Sequence, residues 1–258
     1  MELDGAPVTL EQLAALAIGN YGHFTTMRVE RGGVRGLSLH LRRLVDDCAT
    51  VFDAELDPDR VRHLVRRVLD RAGDPVTVRV TVFDPALTRD HPAAPAHPRL
   101  LVTRRPAAPD PPAPLRVRSS VYCREAPAVK HVALFGTLRR RREAQRAGFD
   151  DVLFVDGAAR VCEGATWNVG FCAGERLLWP RAECLSGVTM RLLQGVEEPT
   201  STVPITLADL SGMEAAFATN ANAGVRPVAA IDSHRWAGEH PAVRRLAKRY
   251  AEIAPEPV

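Results

Sequence analysis

Of the 34 basic residues in this 258-residue chain, only Lys130 and Lys248 are lysines. A guanidinium stays protonated and cannot act as an amine nucleophile or general base. In a chain that uses arginine almost everywhere, an interior lysine is therefore a candidate for amine chemistry, the plain alternative being a surface lysine. Lys248 fits the alternative, inside a charged C-terminal helix expected over Pro241–Ile253. Lys130 follows Pro127 and a strand, and is expected at the mouth of a helix spanning Lys130–Ala147. Burial and a cationic neighbour there would lower its pKa below the usual value of about 10.4 and free a neutral amine to attack a carbonyl.

Three further segments stand out. Val161-Cys162-Glu163-Gly164-Ala165-Thr166-Trp167-Asn168 joins two short strands, and a carboxylate in such a turn can hold a ligand's ring nitrogen protonated. The alternative makes Glu163 a turn residue paired with one of many arginines. Leu185-Ser186-Gly187-Val188-Thr189 opens a helix, whose orphan N–H groups and positive dipole end suit a phosphate; a plain Ser-capped helix is the alternative. Thr219-Asn220-Ala221-Asn222-Ala223-Gly224 leads a strand into a small-residue loop that backbone can bring close to a ligand, or is an ordinary Asn/Gly turn. Arg43, in His40-Leu41-Arg42-Arg43-Leu44, is the candidate cation for such an anion site. An aldehyde for the lysine, a ring nitrogen for the glutamate and a phosphate for two cradles and an arginine describe one ligand, pyridoxal 5′-phosphate (PLP).

The elements that must position these groups are legible in the periodicity. Thr25–Val29 reads as a strand, Gly32-Gly33 as a turn, and Leu39–Val51 as a helix through Leu41, Leu44, Val45 and Cys48. A second helix is predicted over Asp57–Arg71, ended by Gly73, and a half-buried strand over Val76–Val82, where valines alternate with Thr77, Arg79 and Thr81. Eight of the 20 prolines fall between Pro92 and Pro114. The first cluster reads as the tip of a long hairpin and the second as a stiff connector. The expected division is 1–105, a connector at 106–114, and 115–258. Beyond it, strands are predicted at Leu115–Val121, across Val152–Trp179 as a meander, at Ala215–Thr219 and at Val225–Ala230, with helices near Gly187 and at the C-terminus. Strands and helices mix without regular βαβ alternation, so the fold class is α+β.

Hydrophobic content of 46% supports a buried core, which excludes wholesale disorder. No apolar run approaches the roughly 20 residues of a membrane span, and Met1–Leu10 lacks the blocks of a secretory signal, so a cytoplasmic protein without membrane partners is expected. The run Arg139–Arg142 could suggest nucleic acid, but a net charge of +3 and acidic residues at Glu143, Asp150 and Asp151 favour an exposed helix face. Five cysteines without a C-x-x-C pair read as buried free thiols rather than a metal site or a disulfide framework. His40, Cys172 and Cys184 are taken as structural.

The order of these segments resembles the class IV aminotransferases, the fold type IV PLP enzymes that include branched-chain and D-amino-acid aminotransferases and 4-amino-4-deoxychorismate lyase. The resemblance runs from about Gly19 to Ile231 and is most specific in EAQRAGFDDVLFVDGAARVCEGATWNVGF and in the spacing of Lys130 and Glu163. It implies a small N-terminal α/β domain, a larger barrel-like C-terminal α/β domain and a homodimer. It further implies that Lys130 forms the internal aldimine and shuttles the proton, that Glu163 binds the pyridine nitrogen, and that Arg43, Asn168, Gly187, Val188, Thr189, Thr219 and Asn220 hold the cofactor. The implied reaction is amino transfer between an amino acid and a 2-oxo acid, with a lyase of the aminodeoxychorismate type as the alternative. Tyr21, His23, Thr25, Tyr122 and Arg124 are the candidate substrate-pocket residues. Tyr21-Gly22-His23-Phe24-Thr25-Thr26 departs from the family's Gly-Asp-Gly-x-Phe-Glu element, and Phe24-Thr25-Thr26 with Lys130-His131 is similar to some of the lyases.

Overall fold

The computed structural model describes residues 1–69, 75–108, 113–197, 199–237 and 239–258. The chain divides into two compact units, Met1–Ala108 with Val129–Ala133 and Pro255–Val258, and Pro109–Ala128 with Leu134–Ala254. Residues Arg71 and Gly73 of the expected helix end, and 109–112 of the expected connector, lie outside the described residues.

The first unit contains, in chain order, β1 (Glu2–Leu3), β2 (Ala6–Pro7), α1 (Leu10–Gly19), β3 (His23–Val29), β4 (Gly33–Val34), α2 (Leu37–Phe52), α3 (Pro58–Leu69), β5 (Val76–Phe83) and β6 (Arg99–Pro106). An antiparallel sheet runs β2–β1–β6–β5–β3. In α2, Leu37, Leu41, Leu44 and Cys48 recur at helical spacing and are buried; in α3, Val61, Leu64, Val65 and Val68 do the same. These stripes cover the sheet face built from Met27, Val78, Val80, Val82, Leu100 and Val102. Glu256, in the C-terminal two-residue strand that pairs with β4, accepts from the Ser38 N–H and so caps α2.

Strand β5 was predicted half-buried, yet Thr77 and Thr81 on its polar side are also buried. Two facts account for this. β5 is central, flanked by β3 and β6, and α1 sets Leu13 and Leu16 against Leu3, Phe83 and Leu101. Pro92, Pro95 and Pro98 lie in the long β5–β6 hairpin, where Phe83 faces Arg99 and Asp84 accepts from the N–H groups of Ala86 and His97.

The segment around Lys130 is extended, not helical. Phe24 N–H donates to Lys130 O, Val132 N–H donates to Gly22 O, and His23 pairs with His131 as an antiparallel bridge. These residues continue the sheet beyond β3, and the helix expected from Lys130 begins only at Phe135. Gly22 is required here: its φ is +149° and a Cβ would lie 2.4 Å from Val82 O.

The second unit contains β7 (Leu115–Val121), α4 (Phe135–Arg146), β8 (Asp151–Val155), β9 (Val161–Gly164), β10 (Asn168–Ala173), β11 (Arg176–Pro180), α5 (Val188–Val196), β12 (Thr200–Val203), a 3-10 turn at Leu207–Gly212, β13 (Ala215–Asn220), β14 (Gly224–Ile231), β15 (His234–Arg235) and α6 (Pro241–Glu252). Its sheet runs β12–β11–β10–β13–β14–β7–β8–β9, with β15 beside β14. The parallel pairs β7–β8 and β11–β12 need crossovers, which α4 and α5 supply. The two edges of the sheet meet: Val161 N–H donates to Ile205 O at 2.7 Å and Leu207 N–H to Ala159 O at 3.1 Å. The sheet therefore curls into a half-barrel around Val117, Leu153, Trp167, Phe171 and Ala218. Arg139 and Arg141 of the basic run pair with Glu143 and Asp151. The cysteines are free, but only Cys48, Cys162 and Cys172 are buried as expected; Cys184 is partly buried and Cys123, just past the end of β7, is exposed. Among the described residues no helix is long and apolar enough to cross a membrane.

Candidate active site

The first unit gathers charge around β3. Alternation puts His23, Thr25 and Met27 on the side facing α2, and Phe24 and Thr26 on the side shared with Arg79 and Thr81 of β5. On that second side, Lys130 Nζ lies 4.9 Å from the centre of the Phe24 ring and the Arg79 guanidinium carbon 3.6 Å from it. Arg79 also donates to Thr81 Oγ1, and burial lowers its pKa. Among the described residues no carboxylate pairs with it, so a half-buried cation and the Lys130 amine share the Phe24 ring.

On the α2 side, Arg43 Nη2 donates to Thr25 Oγ1, which lies 2.7 Å from His40 Nδ1. Burial, then the charges of Arg43 and Lys130, hold His40 well below the usual imidazole range, so the ring is neutral. Thr25 Oγ1 thus joins the Arg43 guanidinium to one ring nitrogen of His40 and leaves Nε2 as the other. That Nε2 is buried without a partner. His23 is fully buried against Phe52, neither ring nitrogen has a partner, and burial with the Arg43 charge lowers its pKa to about 4. Asp47, one turn beyond Arg43, accepts from the Lys130 N–H at 3.2 Å. Tyr21 is half-exposed and donates to Val51 O. Thus Lys130, Arg43, Thr25 and His23 converge on one strand, but Thr25, His23 and Tyr21 point to the helix side.

In the second unit, the working groups belong mostly to the main chain. Helix α5 starts at Gly187 in extended conformation with no side-chain cap, so Ser186 does not take the role of the plain alternative. Asn168, first residue of β10, donates to Leu185 O at 2.7 Å. It lies so near Gly187 that a Cβ there would come within 2.0 Å of its Oδ1. Val188 and Thr189 are buried, and the Thr189 hydroxyl has no partner. Thr219, opposite Asn168 on β13, is buried too. Asn220 turns its carboxamide oxygen back on its own hairpin, accepting from the N–H groups of Asn222 and Ala223.

Glu163 is buried on β9. Its carboxylate accepts from the Arg124 guanidinium and from the Leu185 N–H, both at 3.3 Å. Leu185 thereby links the glutamate to the loop before α5. Tyr122 stacks edge-on against Phe154 and beneath Arg140, and its hydroxyl occupies the space a side chain at 136 would need.

Sequence reasoning passed over Arg79 and Asp47 and read His40 as structural. Arg79 looked like the wet side of an alternating strand; the usable signal was its position directly across β3 from Thr26. Asp47 is four residues after Arg43 on the helix stripe that includes His40, Leu44 and Cys48, where a lone acid is unusual.

A sheet-and-helix unit followed by a curled half-barrel with an open helix N-terminus is the fold type IV architecture. The model of the amino-transferase class IV family matches residues 22–231, and the chain belongs to this family of enzymes. Solved structures share the fold at low identity. A hypothetical aminotransferase from Mycobacterium tuberculosis, in its PLP-bound form, is 20% identical with a TM-score of 0.81, over 96% of this chain and 94% of that one. A branched-chain aminotransferase from Thermoproteus uzoniensis is 17% identical, TM-score 0.85, over 97% and 92%. A putative 4-amino-4-deoxychorismate lyase from Legionella pneumophila is 20% identical, TM-score 0.79, over 93% of each. No curated protein matches the chain in sequence.

Proposed function

We propose that this enzyme is a PLP-dependent aminotransferase moving an amino group between an amino acid and a 2-oxo acid. The observation that carries the reading is the pairing of the Lys130 amine with the counter-ion-poor Arg79 over one Phe24 ring. An amine for carbonyl chemistry and a guanidinium for a carboxylate are what an amino-acid substrate requires. The residues suit the cofactor: the buried Thr189 hydroxyl has no partner, and it stands at a helix start that no side chain caps.

PLP, when bound, supplies an aldehyde to link with amines and a ring that withdraws electrons from the substrate Cα. Lys130 Nζ would be the amine that links to the aldehyde and that holds or moves the substrate Cα proton. Glu163 would hold the pyridine nitrogen, and Arg124 with the Leu185 N–H orients its carboxylate. The α5 N–H groups, Thr189 and Thr219 would hold the phosphate, Arg43 being the candidate cation for it, while Asn168 shapes the loop before α5. Arg79 takes the substrate carboxylate. In this reading the chain between β6 and β7 joins the two units, and the active form is a homodimer.

Lys130→Ala should abolish transfer and remove the visible absorption that PLP gives the purified protein. A Lys130→Ala protein that keeps both would sink the reading. Phe24-Thr25-Thr26 favours a second reading, a lyase that eliminates the β-substituent, because Thr26 rather than an acid lies on the Lys130 side of β3. Product formed without a 2-oxo acid acceptor would select the lyase.

A further inference from the structure

We infer that Asp47 is a positioning residue for Lys130: its carboxylate fixes the main chain that carries the amine, and its charge acts on that amine from the α2 side. The inference rests on the reading of Lys130 as the reacting amine. The main chain at Lys130 is held from two sides. Its carbonyl accepts from the Phe24 N–H of β3, and its N–H donates to Asp47 Oδ2 of α2 at 3.2 Å. His40, Arg43 and Asp47 recur at helical spacing, so one face of α2 bears both the candidate phosphate arginine and the tether for the lysine.

The cost of that tether argues for a role. Asp47 is only 5% exposed. Burial raises its pKa, against the N–H of Lys130 and the charges of Arg43 and Lys130. A carboxyl whose folded pKa is raised contributes a penalty that is absent at low pH and grows as pH rises past the ordinary carboxylate range. A peptide N–H could be met by Ser or Asn without that penalty, so what aspartate adds is charge. Charged and titratable groups near the pair include His40 and Arg43 on α2, with His131 next in the chain and Arg79 against the Phe24 ring. Asp46 also acts on Asp47 but is exposed. Asp47 is a buried acid of this cluster, and its charge favours the protonated amine of Lys130.

Having only two lysines makes the test direct. Trace acetylation of the full chain with acetic anhydride across pH reports the titration midpoint of each amine, and Lys248, 78% exposed, is the internal standard. Asp47→Asn keeps an acceptor oxygen of the same shape and removes the charge; Asp47→Ser is a second, smaller variant, and thermal unfolding confirms that each is folded. In both, the Lys130 midpoint should fall by about 1 pH unit while Lys248 stays in place. An unchanged Lys130 midpoint in the folded variants overturns the inference. A separate arm treats the wild-type protein with PLP and borohydride. A missing adduct at Lys130 would defeat the reading of Lys130 as the amine, while the acetylation result would still judge Asp47.

Discussion

The two units differ in which parts of the chain carry their candidate functional groups. Around β3 the groups are side chains, most of them charged: Lys130, Arg43, Asp47 and Arg79, with two neutral, buried histidines among them. In the half-barrel they are chiefly main-chain N–H groups at α5, shaped by Asn168 and Gly187, plus one acid already paired with Arg124. A half built from side-chain charge should respond to pH and charge substitution. A half built from backbone should tolerate charge changes and fail when volume is added.

The sharpest break of that contrast is Gly187→Ala. The backbone there is ordinary for any residue, so the whole effect comes from a Cβ 2.0 Å from Asn168 Oδ1. Asn168 cannot retreat without giving up Leu185 O, which in turn moves the N–H that holds Glu163. A loss of about 3 kcal/mol is expected, read as a lower Tm and weaker PLP binding. A variant of wild-type stability and affinity would show that the backbone cradle is not tight.

Acid should strike the β3 side. Unfolded, His23 takes a proton near the ordinary imidazole value of 6.5; folded, it resists until about 4. A depressed folded pKa contributes stability that is present above the unfolded value and is lost as pH falls through the window from 6.5 to about 4. Up to about 3 kcal/mol is at stake. His23→Leu removes two unpartnered ring nitrogens and should raise the Tm at pH about 5 while changing little at pH about 7.5. An equal acid slope in wild type and variant would place the sensitivity elsewhere.

Next in size is Arg79→Gln, which keeps length and removes charge. A charged hydrogen bond to substrate is worth about 2 kcal/mol, so kcat/KM should fall by about 30-fold, mostly through KM. A fall confined to kcat would mean that Arg79 does not hold the substrate.

Local pattern made much of this readable, and long-range pairing set its limit. The valine alternation located β5 and the β7 range Leu115–Val121 was expected as it stands, because strand period is a local property. Prolines marked the hairpin because they exclude regular structure. Lys130 was expected on a helix since Val132, Leu134 and Leu138 imitate its spacing; pairing with β3, more than 100 residues earlier, overrode it. Helix α1 went unforeseen because its apolar residues encircle it, leaving Leu10 and Ile18 exposed. Arg43 and Glu163 were legible as candidate types, but the company they keep, Thr25 with His40 and Arg124 with Leu185, comes from strands and helices far apart in the chain.

The smallest expected effect divides geometry from charge within the β3 half itself. Thr25 carries none, yet its hydroxyl accepts from Arg43 and shares a hydrogen bond with the neutral His40. Thr25→Val keeps shape and removes both bonds, leaving the Arg43 guanidinium short of an acceptor; Thr25→Ser keeps both and loses a methyl. If orientation of Arg43 matters, Val should weaken PLP binding by about 1 kcal/mol, near fivefold, and Ser should recover most of it. Binding of pyridoxal, which has no phosphate, should be alike in wild type and both variants. Equal losses for PLP and pyridoxal would mean that Thr25 supports β3 packing, and the arginine would then owe its placement to the helix alone.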